Sequence, residues 1–262
     1  MIHEIIISTE KRLQRKKELA PVKLLESSIY FDSTCVSLSQ YILRKDKTGI
    51  IAEFKRKSPS GGIINSYADV VSTTIGYMQS GACALSVLTE PDYFQGSPED
   101  LTKVRDTNYC PILRKDFIVD EYQIIESKSI GADAILLIAA CLDKVQIELL
   151  HSLARSLGME VIIEIHDQTE LTLLPDGEYI IGVNNRNLKT MLTDIEHSLR
   201  LANALPQDHI RISESGLKSP KDIQVLNDAG YSGFLMGELF MKSPDPSAAL
   251  ADFIAQLKLV AI

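Results

Sequence analysis

A junction of helix end, glycine and short apolar run recurs along this chain and limits the folds open to it. The clearest copies begin at Gly81, Gly131 and Gly158, and a looser copy begins at Gly230. Glycine just past a helix accepts the left-handed conformation that ends the helix. The apolar run that follows is typical of a strand covered on both faces, as in a parallel sheet. The repeat therefore predicts parallel strands that alternate with helices.

The full pattern predicts eight strands, each followed by a helical segment. The strands are expected at residues 50–55, 83–88, 111–115, 133–138, 160–165, 179–184, 209–214 and 232–237. The helices are expected at about 68–80, 98–107, 119–130, 143–157, 167–173, 190–204, 218–229 and 246–259. This count favours an α/β fold, a closed (β/α)8 TIM barrel. An open doubly wound sheet is the alternative, but no GxGxxG motif follows the first strand and such a sheet needs fewer strands.

Residues 1–45 lie outside the repeat and predict extra N-terminal helices ahead of the first strand. Because the chain has no linker-like or low-complexity segment, we expect residues 1–262 to form a single barrel domain with residues 1–45 as its N-terminal helical extension. Apolar residues such as Leu24, Leu25 and Ile29 argue against a free tail. The extension could cover the barrel mouth and exclude water, or it could plug the opposite end. Both alternatives stay open.

The acidic balance of the chain narrows its partners. Its 27 basic and 35 acidic residues give a formal net charge of −8, which argues against nucleic acid or an anionic membrane as the main partner. No apolar run approaches the roughly 20 residues that span a bilayer. The four cysteines lack metal or disulfide spacing. We therefore expect a cytoplasmic protein, a monomer, that acts on a small molecule.

Polar side chains stand at the ends of several predicted strands. In a barrel these ends meet at one mouth, where catalytic groups lie. Two lysines, three carboxylates and an amide would come together there: Lys55, Lys115, Glu53, Glu164, Glu214 and Asn184. Buried charges are unfavourable unless they are paired or functional. A ring of salt bridges that closes the barrel is the alternative interpretation, but so many charges on different strands favour an active site.

A second group of residues predicts a phosphate site. Ser215 and Gly216 follow the seventh strand, and Gly237 and Glu238 follow the eighth. In many barrels these two loops offer backbone N–H groups to a phosphate, and glycine lets the main chain approach the oxygens closely. The loop at residues 58–62 adds donors from the neighbouring first strand. If the main chain binds the phosphate, the acidic side chain of Glu238 can point to solvent.

These segments resemble the indole-3-glycerol-phosphate synthase family. The segment IAEFKRKSPSG, from Ile51 to Gly61, is similar to that family's signature and is highly specific by itself. The resemblance covers roughly residues 45–245. It continues in order through Leu88–Glu90, Tyr93–Ser97, Leu113–Phe117, Gly182–Leu188, Ser213–Gly216 and Met236–Glu238. Some relatives carry a second barrel, phosphoribosylanthranilate isomerase, whereas this chain is expected to be monofunctional.

The resemblance implies a carbon-carbon lyase, a carboxy-lyase of tryptophan biosynthesis. The family converts 1-(2-carboxyphenylamino)-1-deoxyribulose 5-phosphate to indole-3-glycerol phosphate by ring closure, decarboxylation and dehydration. An arene carbon attacks the ketone, so the ketone oxygen needs a proton donor, and the dehydration needs an acid and a base. The substrate nitrogen is the only electron sink required, so no cofactor and no metal are implied. His166 follows Glu164 by two residues, but no second histidine lies at metal-ligand spacing.

The same resemblance assigns roles to the residues of the mouth. Lys115 is the general acid at the ketone oxygen, Glu164 is the acid or base of the dehydration, and Glu53 tunes the lysines or shares the acid role. Lys55 holds an anionic end of the substrate, phosphate or carboxylate. The other implied substrate-binding residues contact the phosphate, hydroxyls, carboxylate or aromatic ring: Ser58, Ser60, Phe94, Asn184, Arg186, Glu214, Ser215, Gly216, Gly237 and Glu238.

Two other functions stay open at this stage. A sugar-phosphate isomerase or an aldolase could use the same scaffold, and Lys115 or Lys55 could serve an aldolase as the Schiff-base lysine. Phosphoribosylanthranilate isomerases place a cysteine at the end of the first strand, whereas this chain has Glu53 and Lys55 there. A phosphate-binding protein without turnover is the second alternative, but every expected acid and base is present.

Overall fold

The computed structural model describes residues 2–187 and 190–260, and its centre is a closed barrel of eight parallel strands. The strands follow chain order around the ring, and the last pairs with the first. They are β1 (Ile50–Phe54), β2 (Ala84–Leu88), β3 (Ile112–Lys115), β4 (Ala134–Ile138), β5 (Glu160–Ile165), β6 (Ile180–Asn184), β7 (Ile210–Glu214) and β8 (Gly233–Met236). The predicted (β/α)8 barrel is confirmed, and the open sheet is excluded. Leu188, the last residue of one family-like segment, lies outside the described residues.

Helices surround the barrel, and three of them precede β1. In chain order they are α1 (Ile2–Leu19), α2 (Val22–Glu26), α3 (Leu38–Ile42), α4 (Val70–Ser80), α5 (Pro91–Phe94), α6 (Pro98–Thr107), α7 (Glu121–Ser129), α8 (Lys144–Ser156), α9 (Glu196–Leu201), α10 (Pro220–Asp228), α11 (Glu238–Met241) and α12 (Pro246–Val260). Short 3₁₀ segments follow β4 and β5, at Ala139–Cys141 and Gln168–Leu173. A small antiparallel hairpin, Lys57–Ser58 with Gly62–Ile63, follows β1.

The glycine junctions end helices as the repeat indicated. Gly81, Gly131, Gly158 and Gly230 have φ angles of 108°, 91°, 79° and 92°. In this left-handed region a β-carbon would crowd the backbone, so glycine ends the helix with less strain than other residues. Each junction then turns the chain directly into the next barrel strand.

Two segments depart from the predicted helices. The segment after β5 is 3₁₀ rather than α-helical, and it ends before Leu174, which Pro175 holds in an extended conformation. The helix expected from residue 190 begins only at Glu196. Before it, Arg186 and Thr193 form an isolated antiparallel β-bridge. These backbone pairs use groups that a longer helix would need.

Side chains alternate across each strand between two apolar layers. On β1, Ile50, Ala52 and Phe54 pack outward against the helices, whereas Ile51 points inward. The inward residues of the four odd-numbered strands form one layer inside the barrel: Ile51, Leu113, Ile162 and Ile212. Because the side-chain period of a strand is two residues, the residues two positions further along these strands form the next layer at the mouth.

The first helix of the N-terminal extension lies across the mouth of the barrel. Ile5, Thr9 and Leu13 lie on the buried face of α1. Its polar side holds Arg12 at 3.1 Å from Glu90, which caps α5. This end of the extension therefore covers the mouth, as one of the two alternatives proposed.

The last helix of the extension closes the opposite end. Leu38 and Ile42 on α3 pack into the inner layer beneath Ile51. Ser37 Oγ donates to Glu160 Oε1 at 2.6 Å, and Glu160 is the first residue of β5. One extension thus covers the mouth and plugs the bottom, so the two alternatives are both realised.

The connection between these helices is not a free tail, although some of its apolar residues are exposed. Leu24 is 57% exposed and Ile29 is 83% exposed. Polar contacts hold this segment instead, because Ser28 donates to the carbonyl of Ser129 and the Tyr30 hydroxyl donates to Asp106. Hydropathy alone was a poor guide to packing in this short connection.

A buried ion-pair network supports the barrel wall behind β3. Arg114 points outward and is fully buried, with Asp116 at 3.0 Å and Glu126 at 2.7 Å. Its Nε also donates to Thr89. Burial by itself would raise the pKa of Glu126, but the charges of Arg114 and Lys16 outweigh burial and hold that pKa below its usual range. The network ties β3 to α7 and, through Lys16, to α1.

We predict that Arg114→Ala lowers the free energy of unfolding by about 3–5 kcal/mol, because it leaves buried carboxylates without their partner. Urea unfolding followed by circular dichroism measures this change. The control is Arg155→Ala, which breaks an exposed pair with Glu178 and should change stability by about 1 kcal/mol or less. Similar small losses in both variants would show that the network behind β3 does not support the fold.

Candidate active site

A cavity lies at the carboxyl ends of the strands, where α1 covers part of its mouth; its volume is about 1110 Å³ when the solvent space in the open part of the mouth is included. Every site residue predicted from the sequence lines it: Glu53, Lys55, Ser58, Ser60, Phe94, Lys115, Glu164, Asn184, Arg186, Glu214, Ser215, Gly216, Gly237 and Glu238. Ile2 and Ile5 of α1 contribute to its wall. The fold thus brings these predicted residues together from seven of the eight strand ends or their loops.

Lys115 lies at the centre of a charged layer that it forms with Glu53, Glu164 and Glu214. Its Nζ is 2.7 Å from Glu164 Oε2 and 3.1 Å from Glu214 Oε2. Together with Glu53, these side chains stand one inward position beyond the apolar layer of the odd-numbered strands. Burial would lower the pKa of Lys115, but the surrounding glutamates outweigh burial and raise that pKa above its usual range. Lys115 is therefore a protonated ammonium that can donate.

Glu164 is held as a carboxylate. It accepts from Lys115 and, through Oε1, from Asn184 Nδ2 at 3.0 Å. Burial would raise the pKa of Glu164, but the charges of Lys115 and His166 and these hydrogen bonds outweigh burial and hold that pKa well below its usual range. An ionised carboxylate in this position is suited to act as a base.

Glu214 is pushed in the opposite direction. Burial raises the pKa of Glu214 from 4.5 to about 8, with Glu164 and Glu53 adding to the shift against the effect of Lys115. Its Oε1 has no hydrogen-bond partner among the described side chains and backbone. Because the pKa of Glu164 is lowered and that of Glu214 is raised, Glu164 can accept a proton while Glu214 holds one.

Lys55 and Glu53 form the other side of the charged layer, with Lys55 Nζ at 2.7 Å from Glu53 Oε1. Gly237 lies directly against this pair. A β-carbon there would be 2.7 Å from Glu53 Cβ and 2.8 Å from the Glu53 carbonyl oxygen. Glycine is required at this position for space as well as for the approach of a ligand, so a larger residue would displace Glu53.

The loops after β6, β7 and β8 form the polar rim. Ser215 has a φ of 68° and Gly216 a φ of 77°, so two consecutive residues adopt the left-handed region. A serine in this region is strained, and such strain concentrates at functional sites. Glu238 does not simply point to solvent, because Lys242 lies at 2.7 Å and Arg186 at 3.6 Å from its carboxylate.

An apolar wall faces the charged layer. The rings of Phe94 and Phe117 have centroids 6.1 Å apart at an angle of 38°. Both rings line the cavity, with Leu136 and Ile138 beside them. Phe117 also packs on the inner layer of the barrel, so its structural and cavity-lining positions coincide. This wall is suited to the flat face of an aromatic ligand.

Three residues that were not predicted from the sequence as site residues also shape the site. A β-carbon on Gly182 would be 2.5 Å from Glu214 Oε1, so this glycine makes room for Glu214. Asn185 Nδ2 donates to the Ser215 carbonyl at 3.1 Å and holds the rim loop. His166 Nε2 lies 3.3 Å from Glu164 Oε1. An isolated glycine within a strand is the one available sequence signal, because it indicates close approach.

The described part of the chain, residues 2–187 and 190–260, lacks two features. No group of three or more His, Cys, Asp or Glu residues there is placed to hold a metal ion. No helix there is long and apolar enough to cross a membrane.

This chain is similar to one enzyme family over nearly its whole length. The family model for indole-3-glycerol phosphate synthase matches residues 2–253. The indole-3-glycerol phosphate synthase of Bacteroides thetaiotaomicron is 42% identical over 258 residues, covering 98% of this chain and 99% of the relative. That of Carboxydothermus hydrogenoformans is 46% identical over 225 residues, covering 84% of this chain and 85% of the relative.

A solved structure described as KGPDC from Streptococcus mutans is similar in fold. It aligns with a TM-score of 0.62 over 81% of this chain and 98% of its own, at 11% identity. A likeness at this identity bears on the fold alone.

We predict that Glu214→Gln flattens the dependence of stability on pH. Because its pKa is raised from 4.5 to about 8, folded Glu214 keeps a proton that the unfolded chain releases. The free energy of unfolding should therefore fall as pH rises through this window, and glutamine removes that contribution. Urea unfolding at a series of pH values measures the slope.

The control for this prediction is Glu178→Gln, which changes a side chain that is 88% exposed. Its slope should match that of the wild type. Equal slopes for the wild type and Glu214→Gln would contradict the raised pKa of Glu214.

Proposed function

Because the chain belongs to the indole-3-glycerol phosphate synthase family, we propose that Lys115 and Glu164 carry out the proton transfers of its reaction. The chain is a carboxy-lyase of tryptophan biosynthesis. It closes the ring of 1-(2-carboxyphenylamino)-1-deoxyribulose 5-phosphate, with decarboxylation and dehydration, to form indole-3-glycerol phosphate. The observation that carries the proposed roles is the 2.7 Å contact between Lys115 Nζ and Glu164 Oε2 inside the cavity.

Lys115 is the acid of the ring closure in this proposal. The aromatic ring lies against Phe94 and Phe117, and its carboxylate-bearing carbon attacks the ketone carbon. The ketone oxygen takes a proton from the Lys115 ammonium as the carbon-carbon bond forms. The raised pKa of Lys115 keeps it protonated before this step, and the nearby carboxylates compensate its charge. The cationic intermediate then loses CO₂ and regains its aromatic ring.

Glu164 is the base of the dehydration in this proposal. The hydroxyl group made from the ketone oxygen leaves as water after it accepts a second proton, either from Lys115 once that lysine has been reprotonated or from Glu53. Glu164 removes a proton from the adjacent substrate carbon, and the double bond of the indole forms. The lowered pKa of Glu164 keeps this side chain ionised, so that it can accept a proton, and Asn184 orients its carboxylate. Glu53 shares the acid role or tunes Lys55, to which it is paired.

The polar rim is proposed to hold the phosphate. Backbone N–H groups near Ser215, Gly216 and Gly237 would contact its oxygens. Burial would raise the pKa of Glu238, but Lys242, Lys55 and Arg186 outweigh burial and hold it below its usual range. Because these cations surround the one carboxylate, the rim can still attract an anion. Their convergence favours phosphate over carboxylate as the partner of Lys55.

The remaining binding residues are proposed to complete the fit around the substrate. Ser58 and Ser60 approach from the loop after β1, and Glu214 faces the hydroxyl groups beside Lys115. Residues 1–262 are proposed to act as a single barrel domain, a cytoplasmic monomer with no cofactor. Its ligand is a small phosphorylated substrate rather than nucleic acid or a membrane, which the net charge of −8 supports. Family membership sets aside the isomerase, aldolase and non-catalytic alternatives.

We predict that Lys115→Ala remains folded and lowers kcat by roughly 10²–10⁴, which is the usual contribution of a positioned general acid. The assay mixes the purified protein with the carboxyphenylamino-deoxyribulose phosphate and follows indole formation and CO₂ release. The matched control is Lys144→Ala, which removes a lysine that is 55% exposed. Turnover near the wild-type rate in folded Lys115→Ala would remove Lys115 from the mechanism.

We predict that the two ends of the N-terminal extension separate kinetics from stability. Removal of residues 2–19 uncovers the cavity, so a folded barrel should show a higher KM, a lower kcat or both. Leu38→Ala opens a void at the barrel bottom and should lower Tm with nearly normal kinetics. Enzyme kinetics and thermal unfolding of both variants test this. Normal kinetics in the folded truncated protein would contradict a covering role for α1.

A further inference from the structure

The reaction consumes one proton per turnover, and that proton has to reach a cavity whose mouth α1 partly covers. The substrate carboxylate leaves as neutral CO₂, and the ketone oxygen leaves as water. This water contains two protons that the ketone oxygen did not have. The substrate carbon that is deprotonated by the base supplies one of them. The other comes from solvent. With α1 across the mouth and substrate filling the cavity, a path through protein side chains is the alternative to entry of bulk water.

His166 stands beside Glu164 on the side away from Lys115. Its Nε2 is 3.3 Å from Glu164 Oε1, and its Nδ1 is 3.9 Å from Glu170 Oε2. Neither ring nitrogen makes a hydrogen bond of ordinary geometry within the described residues. The exposed fraction of the side chains rises along this row, from 3% for Glu164 to 10% for His166 and 14% for Glu170.

We propose that Glu164, His166 and Glu170 form a proton relay that returns one proton from solvent to the cavity in each turnover. Glu170 passes a proton to His166 Nδ1 once a rotation of the ring or a bridging water closes the 3.9 Å gap between them, and His166 releases the proton on Nε2 to Glu164 Oε1. Glu164 then protonates the Lys115 amine, 2.7 Å away, which has given its own proton to the ketone oxygen. Only O–H and N–H bonds change. The relay rests on the proposed roles of Lys115 and Glu164.

Other titratable groups face His166, and none of them offers the same path. The Cys141 thiol is close to both glutamates, but burial raises its pKa to about 12, so it keeps its proton. Asp167 accepts hydrogen bonds from the side chain and the backbone N–H of Thr169, and these bonds lower the pKa of Asp167. His197 on α9 interacts with the backbone of His166. Glu170 and Glu164 are thus the carboxyl groups that meet the two ring nitrogens.

The environment of Glu170 suits the outer end of the relay. Burial raises the pKa of Glu170, against the hydrogen bond from the His166 backbone and the charge of that ring. A carboxyl group with a raised pKa holds a proton at higher pH than an ordinary surface glutamate. Its Oε2 accepts from the His166 N–H at 2.6 Å, which holds Glu170 beside the ring.

The test measures kcat and KM of His166→Ala in dilute, non-nucleophilic buffer across a range of pH, with and without added imidazole. We expect kcat to fall at least about tenfold. This loss is smaller than the roughly 10²–10⁴-fold loss expected when a group that acts directly on the substrate is removed. KM should stay within about threefold of wild type, the loss should grow as pH rises, and imidazole should restore kcat. Glu170→Gln should show a smaller loss in kcat with the same pH trend.

The control is His209→Ala, which removes an imidazole whose Nε2 contacts the Gly177 carbonyl, away from the cavity. Its kcat should be unchanged, with no effect of imidazole. If His166→Ala does not fold, His166→Gln replaces it in the same comparison. The proposal can still be contradicted in that case, because the Glu170→Gln measurement does not depend on the folding of the His166 variants.

Two results would overturn the relay. One is wild-type kcat for the His166 variant at every pH. The other is a loss that imidazole does not restore in a variant with wild-type Tm. Failure of the proposed function is distinct, because wild type and His209→Ala would then form no indole-3-glycerol phosphate. If Glu164→Gln is inactive while the His166 variant is normal, the role of Glu164 stands and only the relay fails.

Discussion

The Lys115 ammonium, buried among three glutamates, is the interaction on which the chemistry of this cavity depends. Glu53, Lys115, Glu164 and Glu214 stand at the ends of β1, β3, β5 and β7. Alternate strands of a TIM barrel contribute the residues of one inner layer. The charged layer is therefore the next layer above a wholly apolar one. Barrel closure sets these distances, and the apolar layer below excludes water from them.

Burial makes these charges differ from one another in spite of their similar chemistry. Glu164 has Asn184 and Lys115 as donors, whereas Glu214 Oε1 has no donor among the described residues. One carboxyl group is thereby held ionised, and the other is held protonated. Proton transfers in both directions then become possible within a single cavity. Gly182 permits this arrangement because any side chain there would meet Glu214.

Neighbouring residues in the sequence serve opposite faces of the barrel wall. Lys115 points into the cavity, while Arg114 and Asp116 form the buried network behind it. The network continues through Glu126 to Lys16 on α1. The helix that covers the cavity is thus tied to the wall that carries Lys115. A family-like segment combines catalytic and structural residues because strand geometry alternates their directions.

The sequence by itself determined the barrel, its strand positions and the residues around the cavity, because period-two alternation and strand ends follow from local order. Glu53 and Lys55 could be placed at the mouth for this reason. Only the tertiary structure decided that the extension covers both barrel ends, that Gly237 packs against Glu53, and that His166 lies beside Glu164 and Glu170. It also decided which glutamate keeps a proton. Such features depend on distances and burial between side chains, which closure of the barrel sets and local sequence does not encode.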